Sequence, residues 1–417
     1  MSNKWMGCDT TTAVSFKHLI LPEKHPPHTD LLDLRPLPIQ ALRNKTYEKL
    51  YEKYGVFNAV QTQIFHVVYH SDRNILLGAP TGSGKTVAAE LSVMRMFNEH
   101  PGQKAVYIAP LKALVRERLS DWKKKFGAMN RHVVEMTGDF TPDIRALRRA
   151  DIVITTPEKW DGVSRSWQKR GYVQKVGLVI IDEIHLLGAD RGPVLEVIVS
   201  RMRYISSQTE RLVRVVGLST ALANAHDLAE WLGVDRNGLF NFRPSVRPVP
   251  IEVHISGFPG KHYCPRMATM NKPTYAAIRQ HSDTKPALVF VASRRQTRLT
   301  ALELIALAAA DSNGKSFVMS DEELVITAAS RCKDPALRQT LAFGVGIHHA
   351  GLALKDRQIV EDAFLNNRIQ VLVCTATLAW GLNMPAHCVI IKGTKKSTKL
   401  PSLSNEDTRY LTKTYQT

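Results

Sequence analysis

The sequence predicts an α/β protein made of two successive parallel-sheet units, the second of them incomplete. Three observations predict it. Short apolar runs recur between helical stretches, each is followed by Gly, Pro, Thr or Asp, and the pattern restarts after a proline-rich break. The first set of runs is Ile75-Leu76-Leu77, Ala105-Val106-Tyr107-Ile108, Ile152-Val153-Ile154, Leu178-Val179-Ile180-Ile181, and the stretch holding Val213, Val215 and Val216. Runs that are apolar on both faces and separated by helices signify a parallel sheet buried on both sides. Ligand-binding residues then belong at the carboxyl ends of the strands, where the polar motifs fall.

In chain order, residues 1–45 are punctuated by Pro22, Pro26, Pro27, Pro36 and Pro38 and read as an extended segment. Residues 46–245 hold the first unit, and residues 243–250, with Pro244, Pro248 and Pro250, read as a linker. Residues 246–394 carry the second set: Ala287-Leu288-Val289-Phe290-Val291, Val345-Gly346-Ile347, Val371-Leu372-Val373 and Val389-Ile390-Ile391. Residues 395–417 are polar, lack apolar periodicity and are expected to be disordered. There is no repeat of solenoid length, although two α/β units are compatible with distant copies of one fold.

The chain has 417 residues, with 56 Lys and Arg against 38 Asp and Glu, a net charge of +18. The excess favours polyanionic partners, because each phosphate contact releases counterions. Cys8, Cys264, Cys332, Cys374 and Cys388 are scattered without a CxxC pair, which argues against a disulfide framework or a zinc site. The first residues lack an apolar core of the secretory kind, and no apolar run approaches a membrane span. A soluble protein of nucleus and cytosol is expected.

Ala79-Pro80-Thr81-Gly82-Ser83-Gly84-Lys85-Thr86 follows an apolar run and opens a helical pattern, the context a phosphate-binding loop requires. Gly82 and Gly84 let backbone N–H groups approach phosphates, Lys85 reaches the β and γ oxygens, and Thr86 offers a hydroxyl to Mg²⁺. Ala79 stands where the general pattern has Gly. Asp182 and Glu183 end another apolar run. Beside a phosphate loop, the first carboxylate is a magnesium holder and the second can orient an attacking water, whereas alone the pair would be an exposed acidic turn. His185 is either a structural hydrogen-bonder or a link from the nucleotide to the rest of a motor. Ser219-Thr220-Ala221 alone would be a helix cap. Gln61 alone would be a surface glutamine, although it lies upstream of the phosphate loop, where an adenine-reading amide would lie.

Three further motifs suit a nucleic-acid backbone: Pro110-Leu111-Lys112-Ala113-Leu114, Thr137-Gly138-Asp139 and Thr155-Thr156-Pro157-Glu158-Lys159. Each follows an apolar run and offers N–H groups, hydroxyls or a lysine to phosphate. Singly they are ordinary loop sequences; their order and spacing give them weight.

That ordered set resembles the Ski2-like group of superfamily 2 helicases, over residues 15–394. The likeness extends to His18-Leu19-Ile20-Leu21-Pro22-Glu23, Ile184-His185-Leu186-Leu187-Gly188, Arg191-Gly192-Pro193-Val194-Leu195-Glu196, Phe240-Asn241-Phe242-Arg243-Pro244 and Ser293-Arg294-Arg295-Gln296-Thr297-Arg298. A spliceosomal relative has a similar second cassette with degenerate nucleotide motifs, whereas Lys85, Thr86, Asp182 and Glu183 are intact here. The resemblance implies tandem RecA-like P-loop domains and an ATP- and Mg²⁺-dependent 3′-to-5′ motor on single-stranded or tailed DNA or RNA. Its implied roles are alkylation-damage repair and rescue of stalled ribosomes, with cointegrator complex subunits and a dioxygenase of alkylated bases as partners. Carried over by residue, Gln61 reads adenine, Ala79 to Thr86 hold phosphate, Thr86 and Asp182 hold the metal, and Lys85, Asp182, Glu183 and His185 are catalytic. Ser219 and Thr220 link hydrolysis to movement. Pro110, Lys112, Thr137, Gly138, Thr156, Pro157, Ser293, Arg294 and Thr375 face the strand. His348-His349-Ala350-Gly351, Thr377, Gly381 and Asn383 complete the second unit's motifs.

After Lys392-Gly393-Thr394 the family continues with a strand-separating hairpin and a Gln-x-x-Gly-Arg-x-Gly-Arg motif. Here Lys395-Lys396-Ser397-Thr398-Lys399 follows, and the only later arginine is Arg409. An arginine finger supplies about 10³ to 10⁵ in rate, so the sequence leaves two readings: a working helicase, or a truncated module that binds ATP-Mg²⁺ and nucleic acid without robust turnover or unwinding.

Overall fold

The computed structural model describes residues 17–21, 35–186, 192–258, 262–311, 317–376, 378 and 384–393. The chain divides into two compact units, His25–Pro248, and Val249–Thr417 together with Met1–Lys24. Its strands, in chain order, are β1 (Lys17–Leu21), β2 (Ile75–Gly78), β3 (Lys104–Ile108), β4 (Val133–Met136), β5 (Ile152–Thr155), β6 (Val176–Ile181) and β7 (Arg214–Ser219). They continue with β8 (Leu239–Asn241), β9 (Val253–Gly257), β10 (Ala287–Val291), β11 (Val345–His348), β12 (Val371–Thr375) and β13 (Cys388–Lys392).

The unit His25–Pro248 is built on a seven-stranded sheet of order β4-β5-β3-β6-β7-β2-β8, parallel at every pairing. Side chains alternate across a strand, and the sheet sorts its apolar residues accordingly. Ile75, Leu77, Ala105, Tyr107, Ile152, Ile154, Leu178 and Ile180 point into one core with the helices Ala59–His70, Lys85–Glu99 and Lys112–Gly127. Leu76, Val106, Ile108, Val153, Val179 and Ile181 point into the other, against Trp160, Ile198, Val199 and Met202. Continuous apolar runs are what burial on both faces demands. Because all strands run the same way, their carboxyl ends share one edge of the sheet. Residues 79–86, 109–112, 137–139, 156–159, 182–185 and 219–221 all start there, after β2, β3, β4, β5, β6 and β7.

Two features differ from the sequence reading. The segment 243–250 is not all linker: Phe242 and Val246 are buried in the core of the preceding unit, and the change of unit falls after Pro248. Ile39–Leu42 is likewise a 3-10 turn whose Ile39 and Leu42 enter that core, and the Tyr69 hydroxyl donates to the Leu42 carbonyl at 3.0 Å. Proline-rich sequence signals extended backbone, but the apolar residues between the prolines still find burial.

The second unit has a four-stranded sheet of order β11-β12-β10-β13, parallel throughout, with a separate antiparallel pair, β1 and β9. Its core gathers Val289, Leu304, Phe317, Leu341, Ile347, Phe364 and Val373. Ser293 follows β10, His349 follows β11 and Thr375 ends β12, again at one edge.

Candidate nucleotide site and strand-facing loops

The phosphate loop is held open by its own backbone. Gly82 and Gly84 both sit at φ +84°, where an L side chain is strained. A Cβ on Gly84 would stand 2.2 Å from the Gln61 side-chain nitrogen. The helix Lys85–Glu99 starts at Gly84 with no side-chain cap, so its first N–H groups face the loop as an anion cradle. Lys85 Nζ rests on the carbonyls of Ala79 at 2.8 Å and Pro80 at 3.2 Å. Ser83 Oγ is buried with no hydrogen-bond partner. A cradle that needs glycine, an uncapped helix start and an orphaned buried hydroxyl together fit a bound polyphosphate. Thr86 lies one residue beyond Lys85, in the first turn of that helix.

Sequence reasoning missed Asn58. It caps the helix Ala59–His70, accepting the Gln61 N–H at 2.9 Å, while Gln61 Oε1 accepts the Asn58 N–H at 3.0 Å. The same two side chains then reach the phosphate loop: Asn58 Nδ2 donates to the Ser83 carbonyl at 3.0 Å and Gln61 Nε2 to the Gly84 carbonyl at 3.4 Å. Gln61 is therefore half-buried and structural as well as close to the nucleotide loop. The Asn-x-x-Gln spacing of a capping box was the available signal.

Asp182 extends β6, its N–H donating to the Ile108 carbonyl at 2.9 Å. Its Oδ1 accepts the Glu183 N–H at 2.9 Å, and Tyr107 Oη donates to Oδ2. Glu183 is a non-glycine residue at φ +49°, a conformation that costs about 1–3 kcal/mol and collects at functional sites. His185 Nε2 lies 3.3 Å from Glu183 Oε2. Its Nδ1 accepts the Thr220 N–H at 3.4 Å and sits 3.4 Å from Ser219 Oγ. The Thr220 donor makes Nδ1 the acceptor, so the proton is on Nε2, facing Glu183. Ser219 in turn gives its carbonyl to the Ala79 N–H at 3.0 Å. Phosphate loop, acidic pair, histidine and hydroxyl motif thus form one connected set.

The residues expected to face a strand divide. Lys112 Nζ pairs with Asp139 at 2.5 Å and Arg116 with the same carboxylate at 3.3 Å, all exposed. The Lys112 hydrogen bond, against slight desolvation, holds the Asp139 carboxyl below its ordinary range. Thr137 is buried and spends its hydroxyl on Glu135 at 3.0 Å and its N–H on the Phe140 carbonyl at 2.8 Å. Gly138 lies beside Lys112: a Cβ there would make ordinary contact, 3.7 Å from Lys112 Nζ. Thr156 stands at the N-cap position of the helix Pro157–Ser164 without a side-chain capping bond, with Pro157 in the first turn. Pro110, Pro157, Asp182 and Glu183 line one shallow hollow.

In the other unit, Ser293 caps the helix Arg294–Ala310, accepting the Gln296 N–H at 3.4 Å. Arg294 packs within 2.9 Å of where a Cβ on Gly351 would stand. Burial, then the charge of Arg294, lowers the pKa of His349. His348 Nε2 pairs with Glu361 at 2.8 Å. Thr377, Gly381 and Asn383 lie outside the described residues.

Comparison with known proteins follows these divisions. Residues 58–228 match the DEAD/DEAH box helicase family and residues 273–406 the helicase conserved C-terminal domain. Activating signal cointegrator 1 complex subunit 3 of Danio rerio is 64% identical over 95% of this chain and 26% of its own length. The Homo sapiens protein of that name is 63% identical over 95% and 18%. The DExH-box ATP-dependent RNA helicase DExH14 of Arabidopsis thaliana is 65% identical over 95% and 18%. The chain therefore spans about a quarter or less of these relatives. Among solved structures, the DUF1998 helicase MrfA bound to DNA and AMPPNP shares the fold, with TM-score 0.66 and 18% identity over 90% of this chain and 49% of that one.

Proposed function

We propose, from the matches of residues 58–228 to the DEAD/DEAH box helicase family and of residues 273–406 to the helicase conserved C-terminal domain, that this chain is a helicase, an ATP- and Mg²⁺-dependent motor that moves 3′ to 5′ on single-stranded or tailed nucleic acid. One observation carries the reading: the hydrogen-bonded path from Glu183 through His185 to Ser219 and Thr220, which begins beside the phosphate loop.

Lys85 leaves the Ala79 and Pro80 carbonyls for the nucleotide phosphates, and the glycine-held N–H groups orient them. Thr86 and Asp182 would hold Mg²⁺, which would supply charge neutralisation at the phosphate oxygens. Glu183 orients the attacking water, accepting its proton, while the Nε2 proton of His185 holds the Glu183 carboxylate in place. Loss of that contact as the site changes is felt at Ser219 and Thr220. Lys112 and Arg116 exchange Asp139 for strand phosphates, and Gly138 allows the backbone of the strand to approach. Ser293, Arg294 and Thr375 take the corresponding part in the second unit.

We further assign the motor to alkylation-damage repair and ribosome quality control in nucleus and cytosol, with cointegrator complex subunits as partners; the relatives named as a cointegrator complex subunit support the last point. A second reading takes these 417 residues as a binding module. On that reading they bind ATP-Mg²⁺ and strand without robust turnover, whatever a longer polypeptide adds.

Unwinding separates the two. Duplexes with a 3′ or a 5′ single-stranded tail are offered to the purified chain with ATP-Mg²⁺. Strand release from the 3′-tailed duplex alone supports the motor. Tight binding of the tail without release supports the binding module, and binding of neither tail nor nucleotide sinks both.

A further inference from the structure

Behind Asp182 lies a buried polar group that the proposed chemistry does not use. Tyr107 sits in the middle of β3, paired opposite Ile180 of β6, and is 1% exposed. A phenylalanine would fill that space without a polar atom to satisfy. Instead the hydroxyl donates to Asp182 Oδ2 while the Glu183 N–H holds Oδ1 at 2.9 Å. With one donor on each oxygen the carboxylate cannot turn freely, and each oxygen keeps one lone-pair direction for a cation or water.

Arg118 stands against the same ring. Its guanidinium carbon lies 5.7 Å from the Tyr107 ring centre and 5.9 Å from that of Trp122, and its Nε is buried without a partner. Burial works against its charge, and the Asp182 carboxylate favours it. Arg118 belongs to the helix Lys112–Gly127, whose first turns bear Lys112 and Arg116. The helix that bears Lys112 and Arg116 thus also carries a positive charge that Asp182 attracts.

We propose that Tyr107, backed by Arg118, is a positioning residue that fixes Asp182 for Mg²⁺ and ties that carboxylate to the helix of Lys112 and Arg116. The inference rests on the ATP-Mg²⁺ reading of the site. Outer partners of metal-binding groups are worth about 10- to 100-fold in metal affinity.

The test is a Mg²⁺ titration of a fluorescent ADP analogue bound to the 417-residue chain, run on wild type, Tyr107→Phe, Arg118→Met and the double variant. Tyr107→Phe is expected to raise the half-saturating Mg²⁺ by roughly tenfold, with binding in EDTA unchanged. Arg118→Met shifts it the same way, and the double variant goes no further than the larger single shift, as residues acting through one contact do. A Tyr107→Phe curve that overlays wild type, with only the thermal midpoint lowered, overturns the proposal and leaves Tyr107 a packing residue. Additive shifts overturn the part in which Arg118 acts through Tyr107. Wild type that binds no nucleotide at all defeats the ATP reading and this inference with it, an outcome distinct from wild-type binding with an unresponsive variant.

Discussion

Asn58 closes its own helix and hands its amide to the phosphate loop, so removing it has two consequences of different kind. Asn58→Ala is expected to cost about 1 kcal/mol of stability, the usual loss on deleting an N-cap, and in addition to weaken nucleotide binding through the freed Ser83 carbonyl. Denaturant unfolding and a fluorescent-nucleotide titration read the two separately; a stability loss with unchanged binding would limit Asn58 to capping. His185→Ala should leave nucleotide bound and abolish strand stimulation of hydrolysis, which is checked by comparing turnover with and without strand. Lys392 gives a pH dependence. It is 3% exposed, donates to neutral oxygens on Thr300 and Asn271, and burial, opposed by Glu303, brings its pKa to about 8 from 10.5. Between those values the unfolded chain holds more protons than the folded one, so this group makes stability rise with pH from about 8 towards about 10.5. Below the lower value the cost of burying the charge is constant. Lys392→Met should remove that slope, measured as the difference in unfolding free energy between the two proteins across the window. The placement of Lys85, Asp182 and Glu183 just after strands of the first sheet was legible because glycines, lysine and acids follow apolar runs at fixed spacing. The partners Tyr107 and Arg118 were not, because one lies on a strand and the other on a helix that only the folded sheet brings together.

Among the elements, the helix Lys85–Glu99 is tied to its neighbours by a carboxylate. Glu90 is fully buried and accepts from Tyr51 Oη at 2.6 Å, Trp122 Nε1 at 3.1 Å and Lys125 Nζ at 2.7 Å. Removing one partner of such a group strands the others. Glu90→Ala is expected to destabilise the first unit by about 3–5 kcal/mol, and a loss under about 1 kcal/mol, the range of an exposed pair, would contradict the network. The strands β2, β3, β5, β6 and β7 were readable as apolar runs because they are buried on both faces. β4 is an edge strand with half-exposed Val134 and Glu135, and β8 is an edge of three residues, so neither makes a run. The pairing of β1 with β9 joins segments far apart in the sequence, Lys17–Leu21 and Val253–Gly257, which no local pattern encodes. Nor did the prolines around residue 245 reveal that Val246 is core.

For the whole molecule the dominant quantity is the charge of +18. If Lys112, Arg116 and Arg294 meet phosphates, strand affinity falls with salt on a log–log slope of roughly −0.7 per contact for single strands. Anisotropy titrations across a salt series check this, and Lys112→Ala should make the slope shallower by one contact. A flat salt dependence would mean that the basic excess is solvated surface. The central claim, that nucleotide chemistry in the first unit is coupled to a bound strand, is tested most directly by steady-state ATP hydrolysis of the purified chain. It is measured with and without single-stranded RNA or DNA, beside Lys85→Ala. The motor reading predicts turnover that the strand stimulates and Lys85→Ala abolishes. Turnover indifferent to strand, or equal in Lys85→Ala, would contradict it.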